Sequence, residues 1–177
     1  MLDAFEGAVA RGIPQGCGLN AAVSVRRVVK VLHPGDVELG ERGERLETLL
    51  GSCVSIVLTD PKRTLGVMCH IVHFKAPSSG KALGTAYAEV ALERMYDLLR
   101  SRGINPRLCE AYVYGGGNMF PDQFARGHIG EKNARWAMDA LEHDGIPVLH
   151  HDLCGNAYRR LSWVIGPEQP QVVAVAV

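Results

Sequence analysis

Two apolar, β-branched runs separated by a proline-bearing turn limit this chain more than any other feature. Gly51-Ser-Cys-Val-Ser-Ile-Val-Leu-Thr-Asp60 halts at Asp60-Pro61, and Leu65-Gly-Val-Met-Cys-His-Ile-Val72 resumes the apolar pattern shortly after. Branched side chains suit a pleated surface and proline cannot donate to a ladder, so the pair reads as a β-hairpin. That hairpin puts Cys53 and His70 on adjoining strands.

The remaining periodicities fill in around it. Residues 23–32 read as a first strand closed by the turn His33-Pro-Gly-Asp36. Tyr87, Ala91, Met95 and Leu98 recur at helical steps, which predicts a helix over 85–102 with Gly103 as its stop. A strand over 107–114 runs into Gly115, Gly116 and Gly117. Ala134, Ala137, Met138 and Leu141 predict a second helix over 131–143, closed by Gly145. Strands over 146–151, 158–165 and 171–177 complete the chain. Residues 1–22 mix Gly, Pro and Ala without sustained period and read as a loosely attached leader with a short helix near Leu2 to Ala10; residues 23–177 read as one domain. With no repeat period, the expected fold class is α/β in the broad sense, closer to α+β: mixed β-sheets covered by two main helices.

Composition narrows the functional classes. With 177 residues, 47% of them hydrophobic, the chain can bury one sizeable core without disulfides or a structural metal. Lys plus Arg number 19 and Asp plus Glu 19, so no net field draws it to nucleic acid or an anionic membrane surface. Cys17, Cys53, Cys69, Cys109 and Cys154 are odd in number and widely spaced, and no charged, apolar leader stands at the N-terminus; the expectation is free thiols in a reducing cytoplasm. No apolar run approaches the roughly 20 residues of a membrane helix, so membrane insertion is not expected.

A thiol can attack an amide at neutral pH if a base removes its proton and backbone N–H groups meet the oxyanion. Cys53 follows Gly51-Ser52, where glycine permits a tight turn, and His70 lies across the hairpin. On spacing alone, a cysteine in an apolar strand is more often a small buried hydrophobe. Gly115 to Gly117 lacks the Lys-Ser/Thr ending of a phosphate loop, and reads as a loop. Cys69, His70, His73, His150, His151 and Cys154 could be offered for zinc but show no Cys-x-x-Cys spacing, so neither metal nor cofactor is expected. His33, His128 and His143 read as surface or loop residues, and Asp152 beside His151 as a local polar contact. A papain-like protease would need a different surround at its cysteine and a much longer gap to its histidine.

Thr48-Leu-Leu-Gly-Ser-Cys53-Val, then Asp60-Pro61, then Gly66-Val-Met-Cys-His70 resembles the signature of the CheD family of chemoreceptor glutamine deamidases. The resemblance continues through Gly84-Thr-Ala-Tyr87, Tyr114-Gly-Gly-Gly-Asn-Met-Phe120, Ile129-Gly-Glu-Lys-Asn133 and Gly155-Asn-Ala-Tyr-Arg159-Arg160, spanning about residues 24–166 in the family's order. It implies a cytoplasmic protein-glutamine glutaminase that converts Gln to Glu on methyl-accepting chemotaxis receptors, in some members also hydrolysing glutamate methyl esters. A Cys–His pair and a threonine carry that chemistry; Cys53 and His70 match the pair. Some members place the threonine six residues before the cysteine, where Glu47 stands, whereas Thr48 stands five before, and the role passes to Thr48 with Glu47 as the alternative. Gly51 and Ser52 then belong to the oxyanion turn, with Gly115, Gly116, Gly117 and Asn118 as a loop beside the site. Ile71-Val-His73-Phe74 replaces the family's usual Leu-Pro, which implies an altered substrate rim. The implied partners are receptor cytoplasmic domains and a CheC-type phosphatase; the alternative is a non-catalytic chemotaxis regulator binding either of them.

Overall fold

Backbone pairing sorts the strands into two sheets. In the computed structural model, which describes residues 28–76, 84–123 and 126–177, they are β1 (Val29–Leu32), β2 (Val37–Glu41), β3 (Arg45–Leu50), β4 (Val54–Thr59), β5 (Leu65–Cys69), β6 (Glu110–Gly115), β7 (Val148–Leu153), β8 (Ala157–Val164) and β9 (Gln171–Ala176). One sheet has the order β1-β3-β8-β9 and the other β2-β5-β4-β6-β7. The pairs β1–β3 and β6–β7 are parallel; the others are antiparallel. Two helices, α1 (Ala88–Ser101) and α2 (Ile129–His143), pack on the second sheet. The expected leader, its short helix, Cys17 and the start of the first predicted strand lie outside the described residues.

The result is three layers: four-stranded sheet, five-stranded sheet, helices. β4 is buried along its whole length because both its faces are covered. Val54, Ile56 and Leu58 meet Ala91, Met95, Ala137 and Leu141 of the helices, while Val57 joins Leu46, Leu50, Tyr112, Leu161 and Trp163 between the sheets. β3 supplies the facing surface, with Leu46, Thr48 and Leu50 buried and Arg45, Glu47 and Leu49 turned outward. Each turn has a local cause. Asp60 accepts from the backbone N–H of Lys62, Thr64 and Leu65 and from the Thr64 hydroxyl, which closes the β4–β5 turn. His128 caps α2, its Nδ1 accepting from Glu131 N–H at 3.2 Å. Gly103 and Gly145, at φ of +74° and +71°, follow the two helices.

A cross-strand glycine pair decides how closely the sheets approach. Gly40 of β2 faces Gly66 of β5 in register, and a Cβ on Gly66 would lie 2.2 Å from the Trp163 ring, one on Gly40 2.6 Å from Ile165. The missing side chains leave a dent that the indole of β8 fills, its Nε1 donating to the Glu168 carbonyl at 3.0 Å.

Several expectations need correction. β2 and β3 were not anticipated: their alternating Glu and Arg residues and the internal Gly40 look like loop. The strand expected from residue 51 begins at Val54, which leaves Gly51 to Cys53 as a connecting loop, so Cys53 and His70 flank their strands. The strand expected over 107–114 opens with a single 3-10 turn, Pro106–Leu108, capped by the Asn105 side chain, and starts at Glu110. In α1 the fully buried residue of the last turn is Leu99; Leu98 is half-buried.

Gly66→Ala tests the dent. Overpacking against a buried indole is expected to cost about 1–3 kcal/mol, read as a lowered urea midpoint; unchanged stability would show that the sheets can separate freely.

Candidate active site

The chain passes from the first sheet to the second twice, and both crossings meet at one place. Gly51 to Cys53 joins β3 to β4, and the turn His33 to Asp36 joins β1 to β2. The second crossing grips His70: Asp36 carbonyl accepts from His70 N–H at 2.9 Å and Gly35 N–H donates to the His70 carbonyl at 2.9 Å. Beyond the strand ends, Val54 and Ile71 exchange both backbone hydrogen bonds, at 3.0 and 2.8 Å. Cys53 and His70 each precede a member of that pair, so they share the opposite face as diagonal neighbours, a relation that sets Cβ atoms about 7 Å apart. Imidazole and thiol can meet across that gap.

The ring of His70 is anchored from the other sheet. Thr48 Oγ1 stands 2.8 Å from His70 Nδ1 and 2.9 Å from the Leu32 carbonyl oxygen. A carbonyl only accepts and a hydroxyl has one proton, so Thr48 donates to Leu32 and accepts from Nδ1–H. This hydrogen-bond pattern assigns the tautomer with Nε2 unprotonated. Glu47, the alternative to Thr48, faces outward, accepting from Arg45 and from the Ser162 hydroxyl.

Burial acts on both members of the pair in the same sense. It pushes the half-buried Cys53 thiol up, and it pushes His70, 3% exposed, down, outweighing the upward pull of the Leu32 carbonyl and of Asp36. The resting pair is therefore neutral thiol and neutral imidazole.

Backbone groups complete the surroundings. Gly116 N–H donates to the Cys53 carbonyl and Gly117 N–H to the Gly51 carbonyl, both at 2.8 Å, while Gly115 and Gly155 carbonyls accept from Cys154 and Asn118 N–H. A Cβ on Gly115 would lie 2.2 Å from the Cys53 carbonyl oxygen and one on Gly117 2.4 Å from that of Ala157. The glycine run is thus a spacer for backbone on backbone contact, and the Gly116 and Gly117 N–H groups are spent on holding it. Among the described residues Cys53 N–H reaches no acceptor. Beside the loop, Ser52, Gly117, Met119, Phe120, His128 and Ile129 line a mostly apolar groove of about 350 Å³.

Residues 74–169 match the CheD family, described as CheD chemotactic sensory transduction. A "Probable chemoreceptor glutamine deamidase CheD 2" from Albidiferax ferrireducens is 35% identical over 137 residues, covering 73% of this chain and 78% of its own. A "Probable chemoreceptor glutamine deamidase CheD" from Pseudomonas syringae pv. tomato is 41% identical, covering 74% and 80%. This chain belongs to the CheD family. A solved Neisseria meningitidis protein, NMB0706, aligns at 13% identity with a TM-score of 0.44, over 74% of this chain and 65% of that one.

In this CheD family member Thr48 contacts His70 and the strand register sets Cys53 diagonal to His70, with Gly51 and Ser52 in the loop before Cys53 and Gly116 and Gly117 bonded to that loop. The residues weighed for zinc disperse: Cys69 lies in the helix-side core, its thiol pushed by burial to about 12, while His70 lies on the opposite face. Ile71 continues the strand pairing, so the rim that replaces Leu-Pro begins at His73, whose ring stacks on Tyr87 at 5.2 Å. His128 has the capping role that sequence did not give it. Asp152 pairs with Arg159 at 2.7 Å, and Arg159, with its side chain 5% exposed, also donates to the Cys154 carbonyl; the Asp152–His151 contact expected from sequence is replaced by this one. Sequence reading also passed over Asn133, which is 1% exposed and donates to the carbonyls of Ser52 and Val72, both at 3.0 Å. Its signal was a polar residue in the Ala137–Leu141 stripe of α2.

A neutral resting pair has measurable consequences. Thiolate ultraviolet absorbance at pH 7 should be the same in wild type and Cys53→Ala, and a full thiolate difference would contradict it. His70, lowered below its ordinary value of about 6.5, favours the fold in its neutral form; stability is present above that pH and is lost as pH falls through the lowered value.

Proposed function

We propose that this chain is a chemoreceptor glutamine deamidase in which Cys53 is the nucleophile, His70 the base and Thr48 a positioning residue. The observation that carries the reading is the Leu32–Thr48–His70 chain, which leaves Nε2 of a buried imidazole free on the face that Cys53 shares. Nε2 takes the Cys53 proton as sulfur bonds to the glutamine carboxamide carbon, and the carbonyl oxygen becomes an oxyanion facing Cys53 N–H. The imidazolium proton passes to nitrogen as the C–N bond breaks, releasing ammonia and leaving a thioester. Neutral His70 then activates water; the C–O bond forms, the C–S bond breaks, and glutamate departs from a restored thiol.

The substrate of this reading is the cytoplasmic part of a chemoreceptor, in keeping with the names its relatives carry. A cytoplasmic site of action agrees with Cys53, Cys69, Cys109 and Cys154 being free thiols. No helix among the described residues is long and apolar enough to cross a membrane.

Ammonia release and the mass gain of about 1 Da per glutamine hydrolysed, measured on a receptor cytoplasmic fragment, test the reading. Cys53→Ala is expected to abolish both. Thr48→Val, which keeps the shape and removes the hydroxyl, is expected to lower kcat by roughly 10- to 100-fold, the scale of base positioning, while Thr48→Ser retains most of it. Deamidation by Cys53→Ala would sink the nucleophile assignment.

A further inference from the structure

Asn133 spends a buried amide on two backbone carbonyls that belong to the site. Its Nδ2 donates at 3.0 Å to Ser52, the residue before Cys53, and at 3.0 Å to Val72, two residues after His70. Val72 stands directly opposite Cys53 in the register set by the Val54–Ile71 pair. One side chain therefore ties the strand entering with the nucleophile to the strand leaving with the base, next to the backbone pair that relates them.

The first of these bonds also has a direction. No cis peptide occurs among the described residues, and in a trans peptide the carbonyl and the following N–H point oppositely. Holding the Ser52 carbonyl toward Asn133 of α2 fixes the Cys53 N–H to point the opposite way, away from that side chain. That N–H reaches no acceptor among the described residues, whereas the neighbouring Gly116 and Gly117 N–H groups are engaged.

The choice of residue is poor for stability alone. Asn133 sits in the stripe with Ala134, Ala137 and Leu141, and its Oδ1 is buried with no partner among the described residues. A buried acceptor left unmet is a cost that an apolar side chain of the same shape avoids. The amide is retained where its donor has a specific task.

We infer that Asn133 is a positioning residue for the reaction: by holding the Ser52 and Val72 carbonyls, it aims Cys53 N–H at the developing oxyanion. The inference rests on the deamidase reading and names the residue that prepares its oxyanion donor. Loss of the clamp should impair the step that builds negative charge on the substrate oxygen and spare the encounter with substrate. It should also spare reactions of Cys53 that form no oxyanion.

The test compares wild type, Asn133→Leu and the smaller Asn133→Ala, so that one poorly folding variant does not silence it. Each is assayed for ammonia release from a receptor cytoplasmic fragment and for the rate of Cys53 alkylation by iodoacetamide across pH. Alkylation needs the thiolate and its base but forms no tetrahedral oxyanion. The expected result is kcat lowered by roughly 10- to 100-fold, somewhat less than for outright removal of an oxyanion donor, with KM and the alkylation profile close to wild type. Equal loss of turnover and alkylation would assign Asn133 a purely structural role and overturn the inference, as would unchanged kcat. A wild type that alkylates normally yet releases no ammonia from receptor fragments would instead overturn the deamidase reading, and the inference with it.

Discussion

A single threonine hydroxyl ties the register of the two sheets to the geometry of the site. The layer between them is apolar, built from Leu46, Leu50, Val57, Tyr112, Leu161 and Trp163, and burial of that kind is non-directional. It holds the sheets together without fixing how one lies along the other. Thr48 supplies direction: it bonds Leu32 within its own sheet and His70 across the gap. The imidazole follows one sheet through its ring and the other through its backbone. Because the two crossings from the first sheet to the second, residues 33–36 and 51–53, converge at the same end, His70 and Cys53 sit at the seam where the layers are sewn together. A displacement of either sheet changes the angle between them.

How much of this was legible depended on which faces a strand presents. The β4–β5 hairpin was readable because its runs are apolar enough to be covered on both sides and end at Asp60, whose carboxylate satisfies the turn. The helices were readable because their stripes meet a single surface. β2 and β3 were not, since Glu38, Glu41, Arg45 and Glu47 interrupt them and Gly40 resembles a breaker until its partner Gly66 and the Trp163 indole are placed against it. That relation joins residues far apart in sequence, and local pattern does not contain it. Cys53 and His70 came from motif, and the choice of Thr48 over Glu47 required the side-chain alternation of a strand that sequence had missed.

The glycines show how a local signal can be read correctly as a loop while its work is visible only in the packing. Gly115 to Gly117 read as a loop beside the site, and the structure adds what that loop does: Gly116 and Gly117 N–H donate inward to the Cys53 and Gly51 carbonyls. What the run provides is thinness. Backbone from β6, the Cys53 loop and the turn after β7 lie closer together than any Cβ would allow, with Arg159 holding that turn from within through the Cys154 carbonyl. Close backbone packing exchanges side-chain adaptability for fixed peptide planes, which is the property an oxyanion donor needs.

The placement of buried polar groups follows the same logic. Asn133 contacts Ser52, Arg159 pairs in register with Leu50, and Ser55 lies two residues beyond Cys53 with Tyr114 as its cross-strand partner. Each has a buried polar atom without a partner among the described residues, and only Arg45 does so away from this end of the molecule. The opposite end of the inter-sheet layer is filled by Trp163 and Ile165, with the indole nitrogen satisfied. An arrangement optimised for stability would distribute such groups to the surface or replace them with apolar ones, at a gain of about 1–3 kcal/mol for each unmet group. Their concentration around the Cys53 loop marks the region where the fold gives up packing free energy for orientation. The apolar dent at Gly66 and the polar seam at Thr48 are thus two parts of one design: the first end supplies the cohesion that lets the second remain polar, strained in its hydrogen bonding and fixed in place.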